Sequence, residues 1–364
     1  MRTVAGLLIA LALPALSGWS AEAETYVRQE LRIQMDAAGS AGLETVLVRL
    51  DEPGRHPLAL INHGSPRSAS ERPGMTALSL VPQAMEFARR GWAAAIVMRR
   101  GYASSGGAWA EDYGGCRSPD YQQAGRIAAG DLKAAIAHLA SLPEIDGERI
   151  ISVGVSAGGY ATVALTADPP PGLKAAISFA GGRGSLAADE VCRADLQAQA
   201  FGSFGERSRV PMLWVYAEND HFFGPAVATA FKDAFVSAGG LVEFVKPPAF
   251  GEDGHRLFSA AGIAQWTPLV DQFLKAHGLV WRASPASLPH LAPPAYLSAS
   301  AKAAFETYAA AAPHKAFAAA QAGGYGWRSG QKSEEAARAE ALATCLRPDP
   351  ARKCAVIAVD DAAE

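Results

Sequence analysis

Hydrophobic side chains follow two different patterns along the predicted strands. Residues 24–50 hold two runs in which apolar and polar positions alternate, Leu31–Met35 and Val46–Leu50, and this period of two predicts antiparallel strands. Six later runs are almost continuously apolar, which is typical of parallel strands covered on both faces. These runs are Leu58–Ile61, Ala93–Met98, Ile150–Val155, Ala175–Phe179, Met212–Tyr216 and Leu241–Val245.

Helical patterns lie between the apolar runs. Leu132, Ile136 and Leu139 recur at the spacing of one helix face. Alternation of strands and helices with short connections predicts an α/β fold built on a doubly wound, mostly parallel sheet. The predicted helices are Met75–Arg90, Ile127–Leu142, Ala157–Ala167, Ala226–Ser237 and Ile263–His277.

The pattern changes after residue 282, so we expect one large domain over residues 24–282. Residues 283–299 hold four prolines among Ser and Ala, as expected of a stiff linker. Residues 300–364 predict a small α+β domain. Its elements are a helix over Glu334–Thr344 with Ser333 as N-cap, and strands over Ala316–Ala320 and Ala355–Val359.

Composition and charge exclude several classes of protein. Hydrophobic residues make up 49% of the chain and charged residues 19%, which excludes a disordered chain. The formal net charge is −3, and no basic run stands out. We therefore expect neither nucleic-acid binding nor adhesion to an anionic membrane.

Residues 1–23 predict a signal peptide. Arg2 supplies the positive start, Val4–Leu16 is an apolar stretch too short to span a bilayer comfortably, and residues 21–23 fit a small-x-small cleavage rule. The mature chain would begin at Glu24, be exported to the periplasm or the medium, and carry no transmembrane segment. A retained N-terminal anchor is the alternative.

Because we expect export, we predict that the four cysteines form disulfides: an even number of cysteines in an oxidising compartment is typical of disulfide bonding. Cys345 and Cys354 are close in sequence and are expected to pair, which leaves Cys116 with Cys192. Four cysteines allow three connectivities, so this pairing is a preference. Their spacing matches no zinc motif, and we expect no metal site.

The strongest chemical motif is Gly-x-Ser-x-Gly at residues 154–158, between a predicted strand and a predicted helix. A nucleophilic serine needs this sharp strand-to-helix turn, because it projects Oγ at the carboxyl edge of the sheet. Gly154 and Gly158 lack Cβ atoms, so the strand and the helix can approach closely. A passive Ser156 in a glycine-rich turn is the alternative.

Residues 55–277 resemble the α/β-hydrolase superfamily and are most similar to its dienelactone-hydrolase-like and prolyl-oligopeptidase-like branches. The resemblance implies the α/β-hydrolase form of the doubly wound sheet and hydrolysis through Ser156. The motifs that carry it are His63-Gly64, Arg100-Gly101-Tyr102, Asp146-Gly147-Glu148-Arg149-Ile150 and Gly154–Gly159.

The same resemblance implies a catalytic triad in the chain order Ser, Asp or Glu, His. Asp220 follows a predicted strand in a phrase similar to that of the family's acid, with Glu218 as the nearest competitor. His255 is the histidine whose order and placement fit the base. Asp253 is an alternative acid, but it lies only two positions before His255, so its carboxylate can hardly reach Nδ1 of that ring.

An oxyanion hole needs two backbone donors. The N–H of Ala157 is the first candidate, and Ser65 is the second, because Pro66 has no N–H. We expect His63 to be structural, packed beneath this loop.

Two further residues are candidates for substrate binding. Tyr102 is also a second option for the oxyanion hole, and Arg100 is either a substrate contact or one half of a structural ion pair. Residues 181–209 are long enough to form a small cap with Cys192.

These observations predict an exported serine hydrolase that cleaves carboxylic esters, small or polymeric, without a metal or organic cofactor. A serine exopeptidase or amidase of prolyl-oligopeptidase type is the second hypothesis. A non-catalytic binding protein that keeps the hydrolase fold is the third. The C-terminal domain is a candidate binding module.

Overall fold

The computed structural model describes residues 25–288, 290–321 and 323–364. The predicted signal peptide lies outside the described residues. The strands are β1 (Tyr26–Met35), β2 (Gly39–Leu50), β3 (His56–Asn62), β4 (Ala93–Val97), β5 (Ile145–Val155), β6 (Leu173–Phe179), β7 (Ser185–Ala187), β8 (Glu190–Val191), β9 (Met212–Val215), β10 (Val242–Val245), β11 (Ala316–Ala319), β12 (Tyr325–Arg328), β13 (Ala355–Val359) and β14 (Ala362–Ala363). The α-helices are α1 (Val81–Ala88), α2 (Tyr121–Leu139), α3 (Ala157–Thr166), α4 (Ala194–Gly205), α5 (Pro225–Ser237), α6 (Ile263–Ala276), α7 (Ala299–Ala309) and α8 (Glu334–Leu346).

Eight strands form the main sheet in the order β1-β2-β4-β3-β5-β6-β9-β10. The first two strands form an antiparallel hairpin, β2 also pairs antiparallel with β4, and every other neighbouring pair is parallel. The carboxyl ends of the parallel strands therefore meet at one edge, where open α/β sheets bind ligands. The predicted fold class, an α/β-hydrolase sheet with a small α+β domain at the C-terminus, is confirmed.

Helices cover both faces of this sheet, which explains the continuous apolar runs. Along β3, Leu58 and Leu60 belong to the core beneath α2, α3, α4 and α5, whereas Ala59 and Ile61 belong to the core beneath α1 and α6. Side chains alternate between the two faces of a strand, so each apolar run contributes residues to both cores.

Two predicted helices have different starts in the structure. A helix predicted from Met75 begins only at Val81, after a 3₁₀ turn over Ala77–Leu80, and Pro82 occupies its first turn. Proline is favoured there because the first turn needs no N–H donor. The helix predicted from Ile127 begins earlier, at Tyr121, where the Asp120 side chain accepts the Gln123 N–H at 2.8 Å.

The segment predicted as a cap, residues 181–209, forms the short hairpin β7–β8 and then α4. The Cys116–Cys192 disulfide, with Cα atoms 5.4 Å apart, ties the loop before α2 to the end of this hairpin. This bond and the Cys345–Cys354 disulfide are the preferred pairing.

The C-terminal sheet has the order β12-β11-β13-β14 and is antiparallel throughout. The sequence analysis missed α7 and β12. Gly326 lets β12 lie directly on α8, because a Cβ there would stand 2.4 Å from the Cys345 backbone nitrogen. A glycine between two aromatic residues favours the prediction of a turn over that of a strand, which explains why β12 was missed.

The C-terminal domain contacts the start of the main sheet. The Tyr26 hydroxyl donates to the Asp361 carboxylate at 2.5 Å, and Arg28 lies 3.4 Å from Asp360. Within the predicted linker, Ala286 is buried and its N–H donates to Arg89 O at 2.7 Å. None of the helices in the described ranges has the length and apolarity needed to cross a bilayer.

The Cys345–Cys354 bond links the end of α8 to the residue before β13. Replacing both cysteines with Ser is expected to lower the free energy of unfolding of the C-terminal domain by about 2–4 kcal/mol, because the unfolded chain gains freedom and a core this small has little margin. Calorimetry should show a transition moved to lower temperature while the main domain keeps its own. A profile identical to that of the unmodified protein would contradict this account.

Candidate active site

Ser156 occupies a single-residue junction between β5 and α3. Its φ of 57° and ψ of −124° lie in a region that L residues rarely adopt. Three backbone bonds hold it there: its N–H donates to Phe179 O at 2.9 Å, and its carbonyl accepts the N–H groups of Tyr160 and Gly182, at 2.9 and 3.1 Å. The side chain therefore stands at the carboxyl edge of the sheet.

The glycines of the motif are required by close backbone approach. A Cβ at Gly154 would stand 2.2 Å from Gly158 O, and one at Gly158 would stand 2.3 Å from Asn62 O. Neither contact is possible for a real side chain. Strand β5, helix α3 and the end of β3 can thus meet only when both positions are glycine.

His255 and Asp220 come together at the same edge of the sheet. Asp220 follows β9 and is 1% exposed, and His255 lies in a 3₁₀ turn, Gly254–Arg256, after β10. The imidazole Nδ1 lies 3.2 Å from each oxygen of the Asp220 carboxylate. The carboxylate also accepts the backbone N–H groups of Phe222 and Phe223, at 2.7 and 2.8 Å. This arrangement directs Nε2 of the imidazole away from the acid.

The competing acids lie elsewhere. One oxygen of Asp253 accepts the backbone N–H of His221 at 3.1 Å and that of His255 at 2.9 Å. Asp253 thus ties the two loops together by their backbones and makes no contact with the His255 ring. Glu218 is exposed.

The loop after β3 lies close to Ser156. A Cβ on Gly64 would stand 3.1 Å from the Ser156 Cβ and 3.7 Å from its Oγ. Ser65 and Ala157 line the same cleft as Ser156. The Ser156 Oγ makes no hydrogen bond to His255 in this structure.

Below that loop lies a charged cluster that the sequence analysis missed. Glu111, which is fully buried, forms ion pairs with Arg99 and Arg183. The Tyr102 hydroxyl lies 3.2 Å from the Glu111 carboxylate and 2.9 Å from Ser65 Oγ, and it accepts the Trp109 indole N–H at 2.9 Å. Tyr102, a candidate substrate contact, is fully buried and instead supports Ser65.

Burial and the neighbouring charges together determine the protonation states of Glu111 and His63. Burial alone would raise the pKa of the Glu111 carboxyl, but Arg183 and Arg99 outweigh it and hold that pKa at about 2. Burial, and then Arg99, lower the pKa of His63 well below its usual value. His63 is therefore neutral: Nε2 accepts the Arg99 backbone N–H at 3.0 Å, and Nδ1 donates to Gly64 O at 2.6 Å.

Arg100 does not line the cleft that contains Ser156. Its guanidinium pairs with the buried Asp131 at 2.7 Å, and its backbone N–H donates to the same carboxylate at 2.9 Å. This is the structural ion pair considered as the alternative.

The cleft that contains Ser156 has a volume of about 150 Å³. Three guanidinium groups border it, from Arg67, Arg72 and Arg183, and Asp112 is the acidic residue in its lining. Arg67 stacks on Phe222 at 3.7 Å and Arg72 on Trp109 at 3.4 Å, each measured to the ring centroid. The sequence holds no local motif that would have identified these arginines.

Within the described ranges, no three His, Cys, Asp or Glu side chains are grouped to hold a metal ion.

The family model of the dienelactone hydrolase family matches residues 114–261, which is less than half of the chain and includes Ser156, Asp220 and His255. The resemblance to dienelactone-hydrolase-like proteins is thereby confirmed for this part of the chain, and it supports a hydrolase. A search of proteins with curated function finds no match.

Solved structures with a similar fold include two esterases. An esterase from Pyrococcus furiosus is 14% identical, with 69% of this chain and 90% of that chain covered and a TM-score of 0.47. Esterase 2 of Thermogutta terrifontis is 17% identical, with 70% of this chain and 96% of that chain covered and a TM-score of 0.49.

The low pKa of His63 predicts a specific loss of stability on acidification. The unfolded chain takes up a proton near pH 6.5 while the folded protein does not, so stability falls as the pH drops below that value. Between about pH 7.5 and 5.5, His63 alone is expected to lower the free energy of unfolding by ~1.4 kcal/mol. His63→Gln keeps a donor and an acceptor but does not titrate.

Urea unfolding of both proteins at the two pH values measures the difference. The unmodified protein should lose more stability than His63→Gln by about that amount. Equal losses would show that His63 takes up a proton in the folded protein as readily as in the unfolded chain.

Proposed function

We propose that the protein is an exported serine hydrolase that cleaves carboxylic esters. The observation that carries the proposal is Ser156 in a strained junction inside a cleft, together with an imidazole that the buried Asp220 holds and that stacks on Phe222 of the cleft lining. The match to the dienelactone hydrolase family supports the reaction class.

The reaction proceeds through an acyl-enzyme. Ser156 Oγ attacks the ester carbonyl carbon and gives its proton to Nε2 of His255, while Asp220 stabilises the imidazolium. Collapse of the tetrahedral intermediate breaks the bond to the alcohol oxygen, and His255 returns the proton to that oxygen. Water then attacks the acyl-enzyme with His255 again as base, which releases the acid and restores Ser156.

The oxyanion of each intermediate is stabilised by backbone N–H groups of Ala157 and Ser65. Their rigidity supports this role. The N–H of Ala157 starts helix α3, and the loop of Ser65 rests on Tyr102 and the Glu111 cluster. Pre-positioned donors cost no reorganisation when the charge develops. The hydrogen bond between Ser156 and His255 forms when substrate closes the cleft, as is common for sites that are loose without ligand.

The charge of the cleft favours a substrate that carries a carboxylate close to the ester. The charge of Arg183 is shared with Glu111, but Arg67 and Arg72 form no ion pair with any described carboxylate. The Arg72 Nε is buried and has no hydrogen-bond partner. Arg72 also lines the cleft, so a ligand carboxylate there can accept a charge-assisted hydrogen bond from its guanidinium.

Export is the remaining part of the proposal. The two disulfides support an oxidising compartment, since such bonds are rare in the cytosol. The pattern of residues 1–23 predicts the route.

Replacing Ser156 with Ala is expected to lower kcat on p-nitrophenyl acetate by roughly 10⁴-fold or more, because the acyl-enzyme can no longer form. Ser203→Ala, a serine on α4 outside the cleft, is the matched control and should keep full activity. The same assay with an aminoacyl p-nitroanilide tests the peptidase alternative. Anilide turnover above ester turnover would favour that alternative, and activity that survives Ser156→Ala would refute the serine mechanism.

The charge preference is tested with two esters that differ in one carboxylate, p-nitrophenyl acetate and the mono-p-nitrophenyl ester of succinate. Arg72→Met should lower kcat/KM for the succinate ester by about 10- to 100-fold, because a charge-assisted hydrogen bond is lost, and should change the acetate value by less than about twofold. Arg126→Met, at an exposed arginine on α2, is the control. An equal loss on both esters would argue against an anion site.

A further inference from the structure

Three planar groups form a continuous stack at the edge of the cleft. The Phe222 ring lies parallel to the His255 imidazole, with centroids 3.9 Å apart and an angle of 10° between the planes. On the other side, the Arg67 guanidinium carbon lies 3.7 Å from the centroid of the same phenyl ring. Phe222 is thus clamped between the cation and the imidazole.

Each end of the stack is fixed by hydrogen bonds. The backbone N–H of Phe222 donates to Asp220 at 2.7 Å, so the residue that covers the imidazole also binds its acid. Arg67 donates to the Ser185 hydroxyl in β7 through Nε at 3.1 Å and through Nη2 at 2.8 Å. The hairpin β7–β8 thereby holds the outer member of the stack in place.

The ring of His255 needs such a support. The residue lies in a 3₁₀ turn of three residues within a loop, and its Nδ1 is equally distant, at 3.2 Å, from both Asp220 oxygens. A hydrogen bond to a carboxylate restricts the position of Nδ1 but still allows the ring to swing about that contact. A flat aromatic neighbour removes this freedom, because the ring can leave the parallel orientation only by losing the stacking contact.

We propose that Phe222 is a positioning residue for the base, and that Arg67 holds Phe222 against the imidazole. The proposal rests on the proposed serine mechanism. Stacking occupies one face of His255 and leaves both nitrogens free in the ring plane, Nδ1 for Asp220 and Nε2 for Ser156. It also keeps water off that face of the ring.

Since His255 acts in both half-reactions, loss of the stack slows both. Phe222→Leu removes the flat ring but retains an apolar side chain. It should reduce the acylation and deacylation rate constants on p-nitrophenyl acetate together, by about 10- to 100-fold, because misplacement of a catalytic group by about 1 Å costs that much. Phe222→Tyr keeps the ring and should stay within a few-fold of the unmodified protein.

Stopped-flow burst kinetics separates the two rate constants. Phe244→Leu, which removes a half-buried aromatic residue from β10 outside the cleft, controls for a general effect of the change. A loss seen only in apparent KM, or a Phe222→Leu enzyme within twofold of the unmodified protein on both steps, would overturn the positioning role.

Proton NMR provides a readout that needs no turnover. The carbon-bound protons of the His255 ring sit over the Phe222 face, so their signals should be shifted upfield by its ring current, and this shift should vanish in Phe222→Leu and persist in Phe222→Tyr. Unchanged His255 signals in Phe222→Leu would refute the stack itself. If NMR shows the stack but the unmodified protein hydrolyses no ester, the proposed function is wrong while the stacking of Phe222 on His255 is confirmed.

Arg67 is tested with the uncharged acetate ester, on which an anion site has no influence. Arg67→Met and Arg67→Lys both lose the planar cation, so both should lower the two rate constants several-fold and weaken the upfield shift. If Arg67→Met affects only the succinate ester and leaves the His255 signals unchanged, Arg67 binds substrate and does not hold the stack.

Discussion

The backbone conformation of Ser156 is the constraint on which the site depends. A positive φ at a serine is unfavourable, and it persists here because the bonds to Phe179 and Gly182 hold both sides of the residue. It also requires that no Cβ exists at Gly154 or Gly158, where β5, α3 and the end of β3 are in van der Waals contact. The unfavourable backbone conformation of Ser156 is thus offset by the favourable packing of these three elements. The result is a hydroxyl at the carboxyl edge of the sheet, where the loops after β3, β9 and β10 also begin.

The site also depends on charge compensation in the buried cluster beneath the loop after β3. Two buried arginines are tolerated because Glu111 remains ionised between them, with its pKa at about 2. Arg99 in turn donates its backbone N–H to a neutral His63 and its guanidinium to His63 O at 2.9 Å. The loop that approaches Ser156 is therefore fixed from below by ion pairs and hydrogen bonds. The cluster as a whole carries one excess positive charge beside a cleft that two further arginines border.

The fold and part of the site could be predicted because their signals are local. The strand-to-helix glycines identify Ser156, and the order of strands along the chain brings Asp220 and His255 to the same edge. Other features depend on contacts distant in sequence. Glu111 lies 72 residues from Arg183 in a loop without regular structure, so nothing near it in the chain shows that it is buried. The role of Arg100 stayed open between two alternatives for the same reason, since its partner Asp131 lies 31 residues away.

Trapping the acyl-enzyme identifies the nucleophile. The protein is mixed with p-nitrophenyl butyrate, quenched in acid during the burst, digested and examined by peptide mass spectrometry. If Ser156 is the nucleophile, a butyryl group is found on Ser156 and is absent from a sample quenched after the substrate is exhausted. Ester turnover with no acylated peptide, or with the acyl group on another residue, would contradict this role of Ser156.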